Sequence, residues 1–234
     1  MTSRRNRMIR ESNALTLVWT DIPEGIEAEF NDWYNREHMV DRMVKVPGFV
    51  SGRRFVANHY REHPKYLALY STTGLAVFSS DKYLELQRTP DEKSRRFIPE
   101  FRNTIKGFFT VVSDVGLGEG ACVALIELTF SDDAFEEFKQ ILKNVIFPKL
   151  LSCTGFVSSR LAKADQSISR NVSTQVIRKG DRYLDGLLII EAMNAQALQS
   201  AIVQLDVDAL AKHGLMLEKE PVLFSQMINF QSHT

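Results

Sequence analysis

With 234 residues, 29 Lys+Arg against 29 Asp+Glu and 44% hydrophobic side chains, the chain has ample material for one large core or two small ones. This composition excludes intrinsic disorder over most of the length and leaves no global field to recruit nucleic acid or an anionic membrane. No apolar run approaches the ~18 residues of a membrane-spanning helix.

Residues 1–13 are basic at Arg4, Arg5, Arg7 and Arg10 and lack apolar periodicity. They read as a flexible arm, with no apolar segment behind them to make a signal peptide. Leu15 to Asp21 reads as a strand, turned by Pro23-Glu24-Gly25. A helix from about Ile26 to Lys45 follows, stopped by Pro47-Gly48. Arg53 to Ala57 and Tyr66 to Ser71 are strands joined by the polar loop Asn58 to Pro64. Ser79-Ser80-Asp81 caps a second helix, which Thr89-Pro90-Asp91 interrupts because proline donates no helical hydrogen bond. Phe108 to Ser113 closes this half as a strand. In Gly116-Leu117-Gly118-Glu119-Gly120 the glycines permit an abrupt change of direction. The order then repeats: strand Cys122 to Phe130, helix Asp132 to Leu151, strand Val157 to Ala164 and a polar stretch Asp165 to Asp181. Strand Leu187 to Ala192, helix Ala195 to Lys212 and strand Leu223 to Phe230 complete it.

The repetition is also literal. Gly48-Phe49-Val50-Ser51-Gly52-Arg53 recurs 107 residues later as Gly155-Phe156-Val157-Ser158-Ser159-Arg160. The expected fold is α+β: two tandem ferredoxin-like β-α-β-β-α-β units, 14–116 and 121–234, joined by a linker at 117–120. A sheet with helices on one face leaves its other face uncovered, and the second copy supplies the cover within one chain. Such an internal pair leaves room for a homodimer as well. Cys122 and Cys153 fall in different elements without metal-ligand spacing, and read as free thiols of a reducing cytoplasm.

Only the first copy carries polar chemistry. Before its repeat motif stands Asp32-Trp33-Tyr34-Asn35-Arg36-Glu37-His38, where the second copy has Lys139-Gln140-Ile141-Leu142-Lys143-Asn144-Val145. At ~100° per residue from Ile26, the residues Ile26, Phe30, Trp33, Val40 and Val44 share a buried line, and Glu37 falls within roughly 20° of it. Tyr34, Asp41 and His38 flank that line at about 80°, 60° and 120°. A carboxylate centred on a buried stripe must be paired, protonated or facing a cavity. One reading pairs Glu37 with Arg53 or Arg54 as a structural ion pair. The other makes His38 a general acid or base at the edge of a pocket, with Glu37 and Tyr34 orienting it or its substrate. His59 and His63 lie in a loop with no third ligand beside them, which argues against a metal. Arg95-Arg96-Phe97 reads as a solvated helix face. No phosphate-binding glycine loop or nucleophile elbow is present in the sequence.

Glu29-Phe30-Asn31-Asp32-Trp33-Tyr34-Asn35-Arg36-Glu37-His38, then Arg42, Pro47-Gly48-Phe49 and Arg53-Arg54-Phe55, resemble the dimeric α+β barrel superfamily, and within it the EthD-like and related uncharacterised branches. The resemblance implies that the two units pair as an intrachain barrel, with a ligand between sheet and helices of the first. It implies that His38, Glu37 and Tyr34 lie in or beside that pocket. Under the enzyme reading His38 and Glu37 are the expected catalytic residues, and Tyr34, Trp33, Arg53 and Arg54 the expected substrate-binding ones, with Arg53 or Arg54 for an anionic group. Many relatives place a proline soon after the motif histidine, where this chain has Met39-Val40. Asn144 and Val145 replace Glu37 and His38 in the second unit, which argues against an identical second site.

Three functions are therefore carried forward. The first is a cytoplasmic, cofactor-independent enzyme moving a proton on a small organic acid, lactone or aromatic, as an isomerase, lyase or monooxygenase. The second is a non-catalytic ligand-binding or stress-associated protein. The third is a haem protein with His38 or another histidine as axial ligand. No metal, nucleic acid or membrane partner is expected.

Overall fold

The structure, a computed structural model, describes residues 12–59, 63–173, 180–205, 216–217 and 220–232. Its strands are β1 (Ala14–Asp21), β2 (Phe49–Ala57), β3 (Tyr66–Thr72), β4 (Arg102–Gly116), β5 (Cys122–Thr129), β6 (Phe156–Ala164), the short β7 (Arg182–Tyr183), β8 (Gly186–Ala192), the short β9 (Met216–Leu217) and β10 (Val222–Gln231). The first four form the antiparallel order β4-β1-β3-β2, and the second half forms β10-β5-β8-β6. Because β10 also pairs with β2, and β4 with β6, the two sheets join at both edges into a closed eight-stranded antiparallel barrel. Closure removes the free edges an open sheet would present. The two halves thus close as the expected intrachain barrel, their open sheet faces turned inward and their edges joined. β4 extends well beyond the expected Phe108 to Ser113 because its two ends have different partners. Its N-terminal part pairs with β1 and its C-terminal part with β6.

Side chains alternate across each strand, so both faces of the barrel wall carry a core. Leu15, Leu17, Trp19, Phe55, Leu67 and Leu69 meet Val123, Leu125, Leu187, Ile189 and Phe224 inside the barrel. Ala14, Tyr66, Ala68, Tyr70 and Phe108 face outward, beneath the helices of the first half.

The first helical segment is α1 (Glu27–Trp33), a π-helical turn (Tyr34–His38) and α2 (Met39–Lys45), without interruption. The second is broken at Pro90, as its sequence requires, into α3 (Asp81–Arg88) and α4 (Glu92–Phe97). Ser80 Oγ accepts the Tyr83 N–H and Asp91 Oδ1 the Ser94 N–H, so both halves of the break are capped. The second half has α5 (Asp132–Ile141), a matching π turn (Leu142–Ile146), α6 (Phe147–Ser152), α7 (Gln166–Ser173) and α8 (Ala195–Ile202). The expected run of the last helix to Lys212 passes beyond residue 205 and so outside the described residues, as does most of the basic arm.

Of Asp165 to Asp181, expected as a polar connection within the second half, the described residues at both ends also meet the first half. Ile168 of α7 packs into the first-half core, and β7 pairs in parallel with β4 at Ile105 and Lys106.

Two glycines explain why the repeat motif begins as it does. Gly48 has φ +96° and Gly155 φ +81°, the left-handed region that side chains avoid. A Cβ on Gly48 would lie 2.6 Å from Val77 Cγ2, and one on Gly155 2.7 Å from Ala197 Cβ. Gly48→Ala and Gly155→Ala are each expected to lose about 1–3 kcal/mol of stability. Urea unfolding should show a lower midpoint with an unchanged slope.

Candidate functional site

The polar helix meets the outer face of β1, β3 and β4 around a cavity of about 60 Å³. Tyr34, His38 and Arg42 line it from the helix, Thr16, Tyr70 and Lys106 from the sheet, and Gln87 from α3. A smaller cavity of about 20 Å³ lies beside it at the Pro90 break, and His38, Arg42, Gln87 and Ile98 border both. The proline that interrupts the second helix thus opens the surface toward the His38 imidazole.

A π turn takes one more residue than an α turn, so every later position is set back by about one residue's rotation, ~100°. His38, expected on the shoulder, therefore lands on the buried line, with 7% of its surface exposed. Glu37, expected there, points outward: its side chain is 43% exposed and its Oε1 accepts from Lys93 Nζ at 2.5 Å. The expectation of a buried Glu37 paired with Arg53 or Arg54 is thereby corrected. Val44, likewise placed on the buried line, is 69% exposed, and Met39 and Met43 are buried instead.

His38 sits between two rings, with Trp33 at 4.4 Å and Tyr34 at 4.7 Å between centroids. Burial holds its pKa well below the ordinary imidazole value, and the nearby Arg42, Arg54 and Lys106 charges push the same way. The ring is neutral at pH 7 and can accept a proton. No hydrogen bond to its ring nitrogens is found among the described residues. Its backbone carbonyl accepts from Arg42 Nη1 at 2.9 Å, which ties the arginine to the same turn. Across the cavity Tyr70 Oη donates to Tyr34 Oη at 3.4 Å. Burial raises the Tyr70 phenol well above its usual value and pushes Tyr83 up to about 12, so both remain protonated donors.

The other sequence candidates are dispersed. Trp33 is buried against Phe97, and its indole N–H has no acceptor among the described residues. Arg54 lies under the helix, donating to Asn35 Oδ1 at 2.7 Å and Asn31 Oδ1 at 2.8 Å, with its guanidinium 4.3 Å from the Tyr34 ring centroid. It supports Tyr34 from behind and does not line the cavity. Arg53 points the opposite way, into the barrel. There it donates to Glu191 Oε2 at 2.7 Å and to the Gly120 carbonyl at 2.6 Å. Consecutive strand residues face opposite sides, and with both sides buried the sequence offers no clue to which arginine faces which. His63 stacks on Trp19 at 5.7 Å, His59 is exposed, and Arg96 pairs with Glu29 at the surface.

Tyr70, Lys106 and Glu191 were not singled out from sequence, and Arg42 was noted only as part of the family motif, without a role. Two of them carried a signal: Arg42 stands four residues after His38, one turn along the same face, and Glu191 ends the apolar run Leu187 to Ile190, where a carboxylate demands a cation. In the second half the π turn buries Leu142 and Ile146 where Tyr34 and His38 stand in the first. The structural match is thus one residue beyond the 107-residue alignment, and Ile146, not Val145, takes the histidine's place. Apolar side chains fill it.

No family model and no curated protein matches the chain. Solved structures do. A proposed monooxygenase from Fusobacterium nucleatum is similar at a TM-score of 0.61 and 11% identity, over 93% of this chain and 94% of that one. A mutant chlorite dismutase from Candidatus Nitrospira defluvii is similar at 0.60 and 9%, over 97% and 96%. A haem-binding protein from Thermus thermophilus is similar at 0.54 and 7%, over 92% and 91%. The chain has the dimeric α+β barrel fold, as its closed eight-stranded ring and these likenesses show. Its neighbours in that fold are described as enzymes and as a haem-binding protein.

This corrects the expectation of no cofactor: the same fold binds haem in the Thermus protein. A haem does not fit the first-half pocket as it stands. The His38 imidazole is enclosed by Trp33 and Tyr34, and the roughly 60 Å³ beside it leaves no room for a macrocycle against the ring.

Proposed function

We propose that the chain is an enzyme that binds a small organic molecule between the first-half sheet and its helices and moves a proton at His38. The observation that carries this reading is a buried, neutral imidazole on a cavity wall, with no protein hydrogen bond to its ring among the described residues. Such a group is a base prepared for a ligand. In the step it performs, a substrate C–H or O–H bond breaks, its electron pair stays on the substrate, and the proton passes to an imidazole nitrogen. Tyr34 and Tyr70 border the same space and supply hydroxyl groups. Trp33 and Arg54 position His38 and Tyr34 and do not touch the ligand. Glu37 has no part in the chemistry. We read the halves 14–116 and 121–234 as tandem ferredoxin-like units of which only the first has kept a polar site. The recurrence at 107 residues and the matched strand orders support this.

Hydrogen–deuterium exchange tests the reaction. The protein is incubated in heavy water with a set of small keto acids, lactones and phenols, and carbon-bound deuterium is followed by NMR. Exchange above the buffer rate, abolished in His38→Gln, is the expected result. Ligands that bind without exchanging would overturn the enzyme reading in favour of a binding protein.

A further inference from the structure

We infer that the first-half pocket selects an oxyanion, taking a small molecule whose carboxylate, phenolate or enolate oxygen docks between Arg42 and Lys106 while its apolar body lies against the aromatic wall. This rests on the reading of the cavity as a ligand site and adds the class of ligand.

Arg42 reaches the cavity from α2 and Lys106 from β4, so two cations face the same space from the helix and the sheet. Among the described residues no carboxylate lines that cavity; besides the His38 imidazole and the Gln87 amide its other walls are hydroxyl-bearing or apolar, with Phe49, Phe101 and Phe108 on the apolar side. Asp41 and Asp91 border only the outer cavity. Asp41 is engaged with Lys45 at 2.8 Å, and Asp91 is spent capping α4. With His38 neutral, the lining is net positive. Asp181 answers the Lys106 charge, but no carboxylate among the described residues pairs with the partly desolvated Arg42, and a bound oxyanion offsets that cost.

Both cations are held in place. Arg42 is fixed by its bond to the His38 carbonyl, and its remaining N–H groups have no acceptor among the described residues. Lys106 contacts Asp181 Oδ2 at 2.8 Å, from a carboxylate whose side chain is only 3% exposed. Asp181 thereby orients the ammonium toward the cavity wall. Asp181 belongs to the second half, just before the strand that pairs with β4 at Ile105 and Lys106, so the half that lost its own polar site steadies the first.

The chemistry is consistent with the proposed step. When a proton leaves the substrate for His38, the electron pair left behind collects on oxygen. Preorganised donors stabilise that charge as it develops.

The test compares acids with their neutral isosteres: acetate, butyrate and benzoate against acetamide, butyramide and benzamide. Binding is followed through the ¹⁵N signals of the His38 ring and by calorimetry. At least one acid is expected to bind tenfold or more tightly than its amide, with added salt weakening only the acid. In Lys106→Gln and Arg42→Gln the acid should lose about tenfold while the amide is unaffected. The wild-type comparison needs no variant, so it decides the matter even if one fails to fold. Equal binding of an acid and its amide overturns the oxyanion inference and leaves the pocket reading intact. If none of the six perturbs His38, both fail together.

Discussion

Glu191→Ala is expected to lose about 3–5 kcal/mol of folding stability, because it removes the close carboxylate partner of the buried Arg53 and of the half-buried Arg160 at once. Glu191 is fully buried in the barrel interior. Its Oε2 accepts from Arg53 Nη1 at 2.7 Å and from the Gly120 N–H at 2.8 Å, and its Oε1 from Arg160 Nη2 at 2.6 Å. Arg53 and Arg160 are the same position of the repeat, so one carboxylate bridges the arginines of both copies. Burial alone would raise the Glu191 carboxyl, but Arg53, Arg160 and the Gly120 N–H outweigh it and hold it below the ordinary value. The unfolded chain therefore takes up this proton first on acidification. The stabilisation is complete above the unfolded pKa near 4.5 and is lost as pH falls through the folded one. Urea midpoints from pH 7 to pH 3 should show this loss in the wild type and a shallower one in the variant. Glu37→Ala, by contrast, should leave the midpoint where it was, because an exposed pair with Lys93 contributes little. Equal destabilisation by the two substitutions would mean that the barrel charges are not the structural pair described.

His38→Gln is expected to lower proton-exchange turnover by about 10²–10⁴-fold, the contribution of a positioned general base. Glutamine keeps the polarity and nearly the volume, so the loss should appear in kcat rather than in binding of an acid such as benzoate. The same substitution has a signature in stability. Burial first, then Arg42 on α2, Arg54 on β2 and Lys106 on β4, keep the folded imidazole from protonating until well below 6.5. Between that folded pKa and 6.5 the unfolded chain binds a proton that the folded chain refuses, so stability falls as pH drops through this window. The slope of the urea midpoint between pH 7 and pH 5 should be reduced in His38→Gln. A wild-type slope of zero there would place His38 in water and remove the base.

The amino-acid sequence by itself determined the elements whose causes are local. Pro90 breaks the second helix because no proline can donate within it. Gly48 and Gly155 turn the chain because only glycine enters the left-handed region without strain. The recurrence at 107 residues announced two matched halves, and the contrast between Tyr34 to His38 and its apolar counterpart announced one polar site. The tertiary structure decided what depended on geometry carried over distance. One π turn rotated the rest of the helix, exchanging the roles of Glu37 and His38, and a regular 100° count contains no such step. Arg53 and Arg54 were separated by the barrel wall, since a strand buried on both faces has no sequence mark for inside and outside. β4 doubled in use because its partners lie in both halves, and Lys106 met Asp181 because a second-half segment crosses to the first. Local sterics and hydrogen-bond capacity are written residue by residue; which charges share a cavity is settled only when the strands have paired.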